Sequence, residues 1–125
     1  MSNIRDKHYL SFVHRLGQCS CAMSHPHECD GWLEVHHSTE TGRGKSQMAG
    51  DGEAFLLCQR HHKGEAPFGV HGGKKTWAAK YGAQEIHIQR TRDLVRVRFG
   101  YEPPPRDPPP EEIAAPTFRT GRGNE

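Results

Sequence analysis

The chain has 125 residues, of which 33% are hydrophobic and 8% aromatic, and its formal net charge is +2 at pH 7. These values predict one small domain with a sparse core, of the kind that often needs a bound metal or a disulfide. No stretch approaches the roughly 20 apolar residues of a membrane span, and the mild positive charge permits nucleic acid as a partner without requiring it.

Histidine and cysteine are the most unusual part of the composition. The chain has ten histidines and four cysteines, and five of the histidines fall between His36 and His71, close to cysteines. The first residues lack the apolar run of a signal peptide, so a cytoplasmic, reducing location is expected. In that setting the cysteines are expected to bind a metal rather than to form disulfides.

The first predicted element is a packing helix within residues 1–18. Asp6 is placed to cap its start and Gly17 to end it. The apolar side chains between them recur at helical spacing: Tyr9, Phe12, Val13 and Leu16. The next segment, 19–31, holds three cysteines among His, Pro and Gly, and it is expected to form a loop that carries metal ligands.

Residues 19–100 are expected to form the functional domain. Two short strands are predicted within it, over 32–36 and 54–57, with a Gly-, Ser- and Thr-rich loop between them. A helix is predicted over 74–81. The two tryptophans are expected to lie in the core: Trp32 and Trp77.

The C-terminal part of the chain changes character near residue 101. Before it, segments 86–88 and 94–99 are short and apolar, and their pattern is compatible with either strand or helix. After it, the chain becomes rich in proline, which favours stiff, extended backbone. Residues 101–125 are therefore expected to be a disordered tail outside the fold.

A structural zinc site is predicted around Cys58-x-x-His61, because two ligands three residues apart in a tight turn can bind the same ion. Tetrahedral zinc needs two further ligands. Cys29 is one candidate, and Cys21 is the other, with Cys19 as the alternative to Cys21 because the spacing does not distinguish them. The competing interpretation is a set of reduced, buried cysteines without a metal.

A second metal site is predicted from the remaining histidines. Adjacent strand residues point to opposite sides, so one member of the His36-His37 pair can bind a metal while the other faces a substrate. With His61 at the zinc, the second ion can be held by three histidines: His36, His62 and His71. Such a site suits phosphodiester hydrolysis, in which the ion holds the phosphate and a neutral histidine takes a proton from water. A carboxylate such as that of Asp51 could hold this histidine in one tautomer.

The ordered set of motifs resembles the His-Asn-His endonuclease superfamily and, more narrowly, the phage Ref-like recombination nucleases and small prophage nucleases. The resemblance covers about residues 8–82. The motifs that carry it are His8 to Val13, Val35-His36-His37, Gly42-Arg43-Gly44-Lys45 with Asp51, Leu57-Cys58-Gln59-Arg60-His61-His62, and His71 with Trp77. The fold that it implies is small α+β, a ββα-metal (His-Me finger) unit with a structural zinc knuckle and an N-terminal helix.

The resemblance also implies a role for each matching residue. His37 corresponds to the general base and Asp51 to the residue that positions it. Cys58 and His61 correspond to a structural knuckle. The ligands of the catalytic ion, which would be Mg²⁺, Mn²⁺, Ni²⁺ or Zn²⁺, correspond to His36, His62 and His71.

The implied function is a metal-dependent DNA endonuclease of phage or prophage origin, acting in DNA recombination or repair in a bacterial host cell. Its implied partners are DNA and a recombinase–DNA filament, with no membrane. Basic residues that flank the site could contact phosphates, or they could be solvated surface charges: Arg43, Lys45, Lys74 and Lys75. The alternative is a zinc-stapled nucleic-acid-binding module without catalysis, and a third hypothesis is a structural zinc domain that contacts another protein.

Overall fold

The computed structural model describes residues 4–39 and 49–106, which contain two strands and four α-helices and form a small α+β fold. In chain order these elements are α1 (Lys7–Arg15), β1 (Leu33–His37), β2 (Ala54–Cys58), α2 (Gln59–Lys63), α3 (Lys74–Tyr81) and α4 (Gln84–Phe99). Among the described residues, no helix combines the length and the apolar character needed to cross a membrane.

The predicted N-terminal helix is confirmed as α1. Asp6 caps it, because its carboxylate accepts a hydrogen bond from the main-chain N–H of Tyr9 at 3.0 Å. The chain leaves the helix through Gly17, whose φ of 71° favours glycine. Tyr9 and Val13 are fully buried, so this helix covers one side of the domain.

The two predicted strands are confirmed, and they pair antiparallel as β1 and β2, with Leu33 opposite Cys58 and His37 opposite Ala54. All five residues of β2 are buried. Because side chains alternate along a strand, Phe55 and Leu57 face one apolar cluster, while Leu56 faces a second one against α1 and α4. The strand β2 is thus the centre of the molecule, and α2 begins directly at its end.

The undecided segments 86–88 and 94–99 belong to one continuous helix, α4, which ends at Gly100 with a left-handed φ of 64°. Its apolar pattern is weak because several buried positions are polar. These are Gln84, His87, Thr91 and Arg92. The helical spacing of the buried face is therefore visible only when polar residues are counted among the buried ones.

Residues 101–106, which were expected to belong to a disordered tail, pack on the domain. The Tyr101 ring lies 4.8 Å from that of Phe12, and its hydroxyl donates to the Asp6 carboxylate at 2.7 Å. Pro103 and Pro104 are buried. The remainder of the expected tail, 107–125, lies outside the described residues.

Two arginines hold this segment, and both reach the turn that contains Asp51. Arg92 donates to the carbonyl of Gly52 at 3.1 Å and to that of Pro104 at 2.8 Å. Arg106 forms an ion pair with the buried Glu53 at 3.1 Å. Proline-rich backbone has carbonyls without intrachain partners, and here a buried guanidinium supplies the donor.

The two tryptophans differ in their environment. Trp77 is fully buried, as predicted, and packs beside Phe55 with ring centroids 6.2 Å apart. The prediction for Trp32 is wrong, since its side chain is 65% exposed. It precedes β1, and its indole N–H donates to the carboxylate of Glu34 at 2.7 Å, which fixes the ring at the surface.

The buried His87 is expected to make stability depend on pH. It is 1% exposed; its Nε2 donates to the Tyr81 carbonyl at 2.9 Å, and its Nδ1 lies 2.5 Å from the Ser20 hydroxyl oxygen. Burial lowers its pKa to about 4, whereas an unfolded histidine has a pKa of about 6.5. The neutral form therefore contributes its full stability above pH ~6.5, and this contribution is lost as the pH falls towards 4.

The measurement is the free energy of unfolding of the wild type and of His87→Gln at each pH between 4 and 8. The wild-type advantage should shrink by up to about 3 kcal/mol between pH 6.5 and pH 4. Taking the difference at each pH removes the contribution of groups that do not interact with residue 87. A difference that stays constant over this range would contradict the assignment.

Candidate metal sites

Three cysteines and one histidine form the first candidate metal site, the cysteine–histidine cluster of Cys19, Cys29, Cys58 and His61. Their ligand atoms all lie within 4.8 Å of one another. The Nδ1 atom of His61 is 3.1 Å from the Cys58 sulfur, 3.6 Å from the Cys19 sulfur and 3.8 Å from the Cys29 sulfur. Cys58 ends β2 and caps α2, so the junction of these elements places both members of the predicted knuckle.

The spacing of these atoms fits a tetrahedral ion. Zn–S bonds of about 2.3 Å and Zn–N bonds of about 2.0 Å place neighbouring ligand atoms roughly 3.5 to 3.8 Å apart. The distances from His61 Nδ1 to the three sulfurs, 3.1 to 3.8 Å, are close to that spacing. The cluster could therefore hold a metal ion such as zinc.

The sequence analysis gave Cys21 as the fourth member of the site and Cys19 as its alternative, and the structure places Cys19 there. Of these two cysteines, only Cys19 groups with Cys29, Cys58 and His61. A hydrogen bond from the Cys21 thiol lowers the pKa of Cys19, and the same hydrogen bond, with burial, raises the pKa of Cys21. Cys21 is fully buried, but it lies outside this group.

Glu28, which the sequence analysis missed, lies behind the cluster member His61. The Nε2 atom of His61 is buried without a hydrogen-bond partner, and it faces the Glu28 carboxylate at 3.6 Å. The Tyr81 hydroxyl donates to this carboxylate at 2.5 Å and lowers the pKa of Glu28, with Lys80 3.3 Å away. At this distance the Glu28 carboxylate faces the His61 imidazole without a direct hydrogen bond. The only sequence signal is that Glu28 immediately precedes Cys29.

Three histidines form the second candidate metal site, the three-histidine cluster of His36, His62 and His71. They come from β1, from α2 and from the turn before α3, and their ligand atoms lie within 4.8 Å of one another. The Nε2 atoms of His62 and His71 are 3.2 Å apart. Burial lowers the pKa of His36 to about 3 and also lowers the pKa of His71. Neutral imidazole is the form that binds a metal, so the chemistry of this cluster fits a cation.

Glu34 orients His62 within this cluster. Its carboxylate lies 2.6 Å from His62 Nδ1 and also accepts the Trp32 indole N–H. Since a carboxylate accepts, Nδ1 carries the proton, and Nε2 presents a lone pair towards His71. Glu34 was missed by the sequence analysis, although it lies two positions before His36 and therefore on the same face of the strand.

His37 and Asp51 form a pair, and His37 directly follows the cluster member His36 on β1. His37 Nε2 lies 2.8 Å from an oxygen of Asp51, so Nε2 donates and Nδ1 is the nitrogen that can accept a proton. Asp51 is 4% exposed and also accepts from the Asp6 main-chain N–H at 2.7 Å and from Arg5 at 3.2 Å. Burial alone would raise the pKa of Asp51, but these hydrogen bonds together lower it. Asp51 is therefore a carboxylate that is held rigidly although glycines flank it.

The predicted phosphate-contacting residues are only partly described. Lys74 and Lys75 are exposed at the start of α3, and the Lys74 ammonium donates to the Thr39 carbonyl at 3.1 Å. Arg43 and Lys45 lie outside the described residues. Arg5, beside Asp51, is a further basic side chain near the pair that the sequence analysis did not single out.

Comparison with known proteins finds no match: no family model, no curated protein and no solved structure resembles this chain significantly. The two clusters and the His37–Asp51 pair are therefore the basis for any functional assignment.

Proposed function

We propose that this protein is a metal-dependent DNA endonuclease of the His-Asn-His kind, acting in phage DNA recombination or repair. The observation that carries the proposal is the His37–Asp51 pair in the same fold as the three-histidine cluster, with His37 directly following the cluster member His36 on β1. The order β1, β2, α2, with His36 and His37 on the first strand and His62 on the helix, supports a ββα-metal unit. A structural zinc module that only binds nucleic acid needs neither the three-histidine cluster nor this pair.

The residues divide the chemistry of phosphodiester hydrolysis between them. A divalent ion at the three-histidine cluster (Mg²⁺, Mn²⁺, Ni²⁺ or Zn²⁺) would bind the scissile phosphate and stabilise charge on the leaving oxygen. His37 accepts a proton from the attacking water at Nδ1, because Asp51 holds the proton on Nε2. Asp51 in turn is held by Asp6 and Arg5, so the base stays in one tautomer. Cys58 and His61 would hold zinc at the junction of β2 and α2, and zinc there would stabilise the junction that carries His62.

The test is cleavage of supercoiled plasmid and of single-stranded circles with each of Mg²⁺, Mn²⁺ and Ni²⁺, with EDTA as the metal-free control. The same substrates are tested with and without a recombinase filament, which is the proposed partner. The variant is His71→Ala, because His71 is the exposed member of the three-histidine cluster and its loss should leave the fold intact. His27→Ala, which removes an exposed histidine outside both clusters, is the matched control.

We expect metal-dependent cutting by the wild type and by His27→Ala, and loss of cutting by His71→Ala at equal zinc content. DNA binding without cutting in every arm would contradict the endonuclease and favour the binding module. Cutting that persists in EDTA, or in His71→Ala, would contradict the role of the three-histidine cluster.

A further inference from the structure

Gln84 is the first residue of α4, and its side chain is completely buried beside His36. The orientation of its amide group is determined by Thr39. The main-chain N–H of Thr39 lies 3.1 Å from Gln84 Oε1, and an N–H can only donate, so this atom must be the carbonyl oxygen. The amide nitrogen then donates to the Thr39 hydroxyl at 2.8 Å, which agrees with the same orientation.

This orientation determines which nitrogen of His36 carries the proton. His36 Nε2 lies 3.0 Å from the same Gln84 oxygen, and that oxygen can only accept. The proton of the neutral imidazole is therefore on Nε2, and the free lone pair is on Nδ1. A metal ligand needs a lone pair, so Nε2 is not available to an ion.

We infer that Gln84 is a positioning residue that makes His36 bind its ion through Nδ1, whereas His62 binds through Nε2. His62 is assigned to bind through Nε2 because Glu34 holds the proton on Nδ1 of the His62 ring. The inference rests on the proposed function only in taking the three-histidine cluster as the site of the catalytic ion. Gln84 also joins this ligand to Thr39, the last described residue before segment 40–48.

The direct test is nitrogen NMR of the histidine rings of the full chain. The first equivalent of Zn²⁺ fills the cysteine–histidine cluster, and a second equivalent is then added as the diamagnetic probe of the three-histidine cluster. We expect His36 to keep its proton on Nε2 and to show a metal-bound shift at Nδ1, with the opposite pattern at His62. A metal-bound Nε2 in His36 would overturn the inference, while leaving the metal site itself in place.

Two substitutions separate the positioning role from a merely structural one. Gln84→Met keeps the shape but removes the acceptor, and we expect the second Zn²⁺ to bind about 10- to 100-fold more weakly. Gln84→Glu keeps an acceptor for His36, so Nδ1 ligation and most of the affinity should return. Gln89→Met, at an exposed position of α4, is the matched control. It should change neither the affinity for the second Zn²⁺ nor the ligation through His36 Nδ1.

The first equivalent of Zn²⁺ reports whether each variant is folded. Unchanged affinity and unchanged Nδ1 ligation in a folded Gln84→Met would overturn the positioning role. If the wild type bound no second ion at all, the three-histidine cluster would not be a metal site, and both this inference and the proposed function would be overturned. This outcome is distinct from a wild type that binds the ion through the other nitrogen.

Discussion

Replacing Cys58 with serine is expected to leave the protein without zinc and largely unfolded at 25 °C. Cys58 is a member of the cysteine–histidine cluster, the N-cap of α2, and an acceptor for the Asp30 main-chain N–H at 3.5 Å. Zinc binding in small domains contributes about 10 to 16 kcal/mol, which is as large as the total stability of about 5 to 15 kcal/mol of a typical domain. The measurements are bound zinc per chain and circular dichroism.

The control is a pair of substitutions two residues apart. Cys19→Ser should lose zinc in the same way as Cys58→Ser, because the Cys19 sulfur belongs to the cluster. Cys21→Ser should keep one zinc per chain, because Cys21 is not a member of the cysteine–histidine cluster. If Cys21→Ser lost the ion and Cys19→Ser kept it, the ligand assignment would be reversed.

Replacing His37 with alanine is expected to lower the rate of phosphodiester cleavage by about 100- to 10,000-fold, which is the usual contribution of a general base. His37 is not in either metal cluster, so both ions should still bind. The rate is measured as single-turnover plasmid nicking at saturating metal, with zinc content and circular dichroism recorded on the same samples.

The matched control for this variant is His8→Ala, which removes an exposed histidine from α1. We expect it to cut DNA at the wild-type rate. If a folded, metal-loaded His37→Ala also cut at the wild-type rate, His37 would not be the base, and the function of its pairing with Asp51 would be structural.

Local pattern was enough to predict much of this fold. The spacing of Tyr9 and Val13 with the cap at Asp6 predicted α1, and short apolar runs predicted both strands. The divergence of His61 and His62 was also visible, because neighbouring residues cannot face the same site. The structure brings together the three histidines that these local rules grouped, with ligand atoms within 4.8 Å of one another.

Features that depend on contacts through space were not predictable. Cys19 and Cys21 have nearly the same spacing to Cys29, and only the folded structure shows that Cys19 belongs to the cluster and Cys21 does not. Gln84 lies 48 residues from His36 in the chain, and no motif connects the two residues. The helix α4 was undecided because its buried face includes polar side chains that no hydrophobic periodicity reveals.

The packing of residues 101–106 also determines how far the C-terminal end of the chain can be shortened without disturbing the domain. Arg92 bridges Gly52 to Pro104, and Arg106 reaches Glu53, so the turn that holds Asp51 is braced by the segment after α4. Composition alone would place the end of the domain at residue 101. A truncation or a replacement of the C-terminal sequence should therefore begin after Arg106. A cut before Arg106 would remove contacts that hold Asp51 in position to accept from His37.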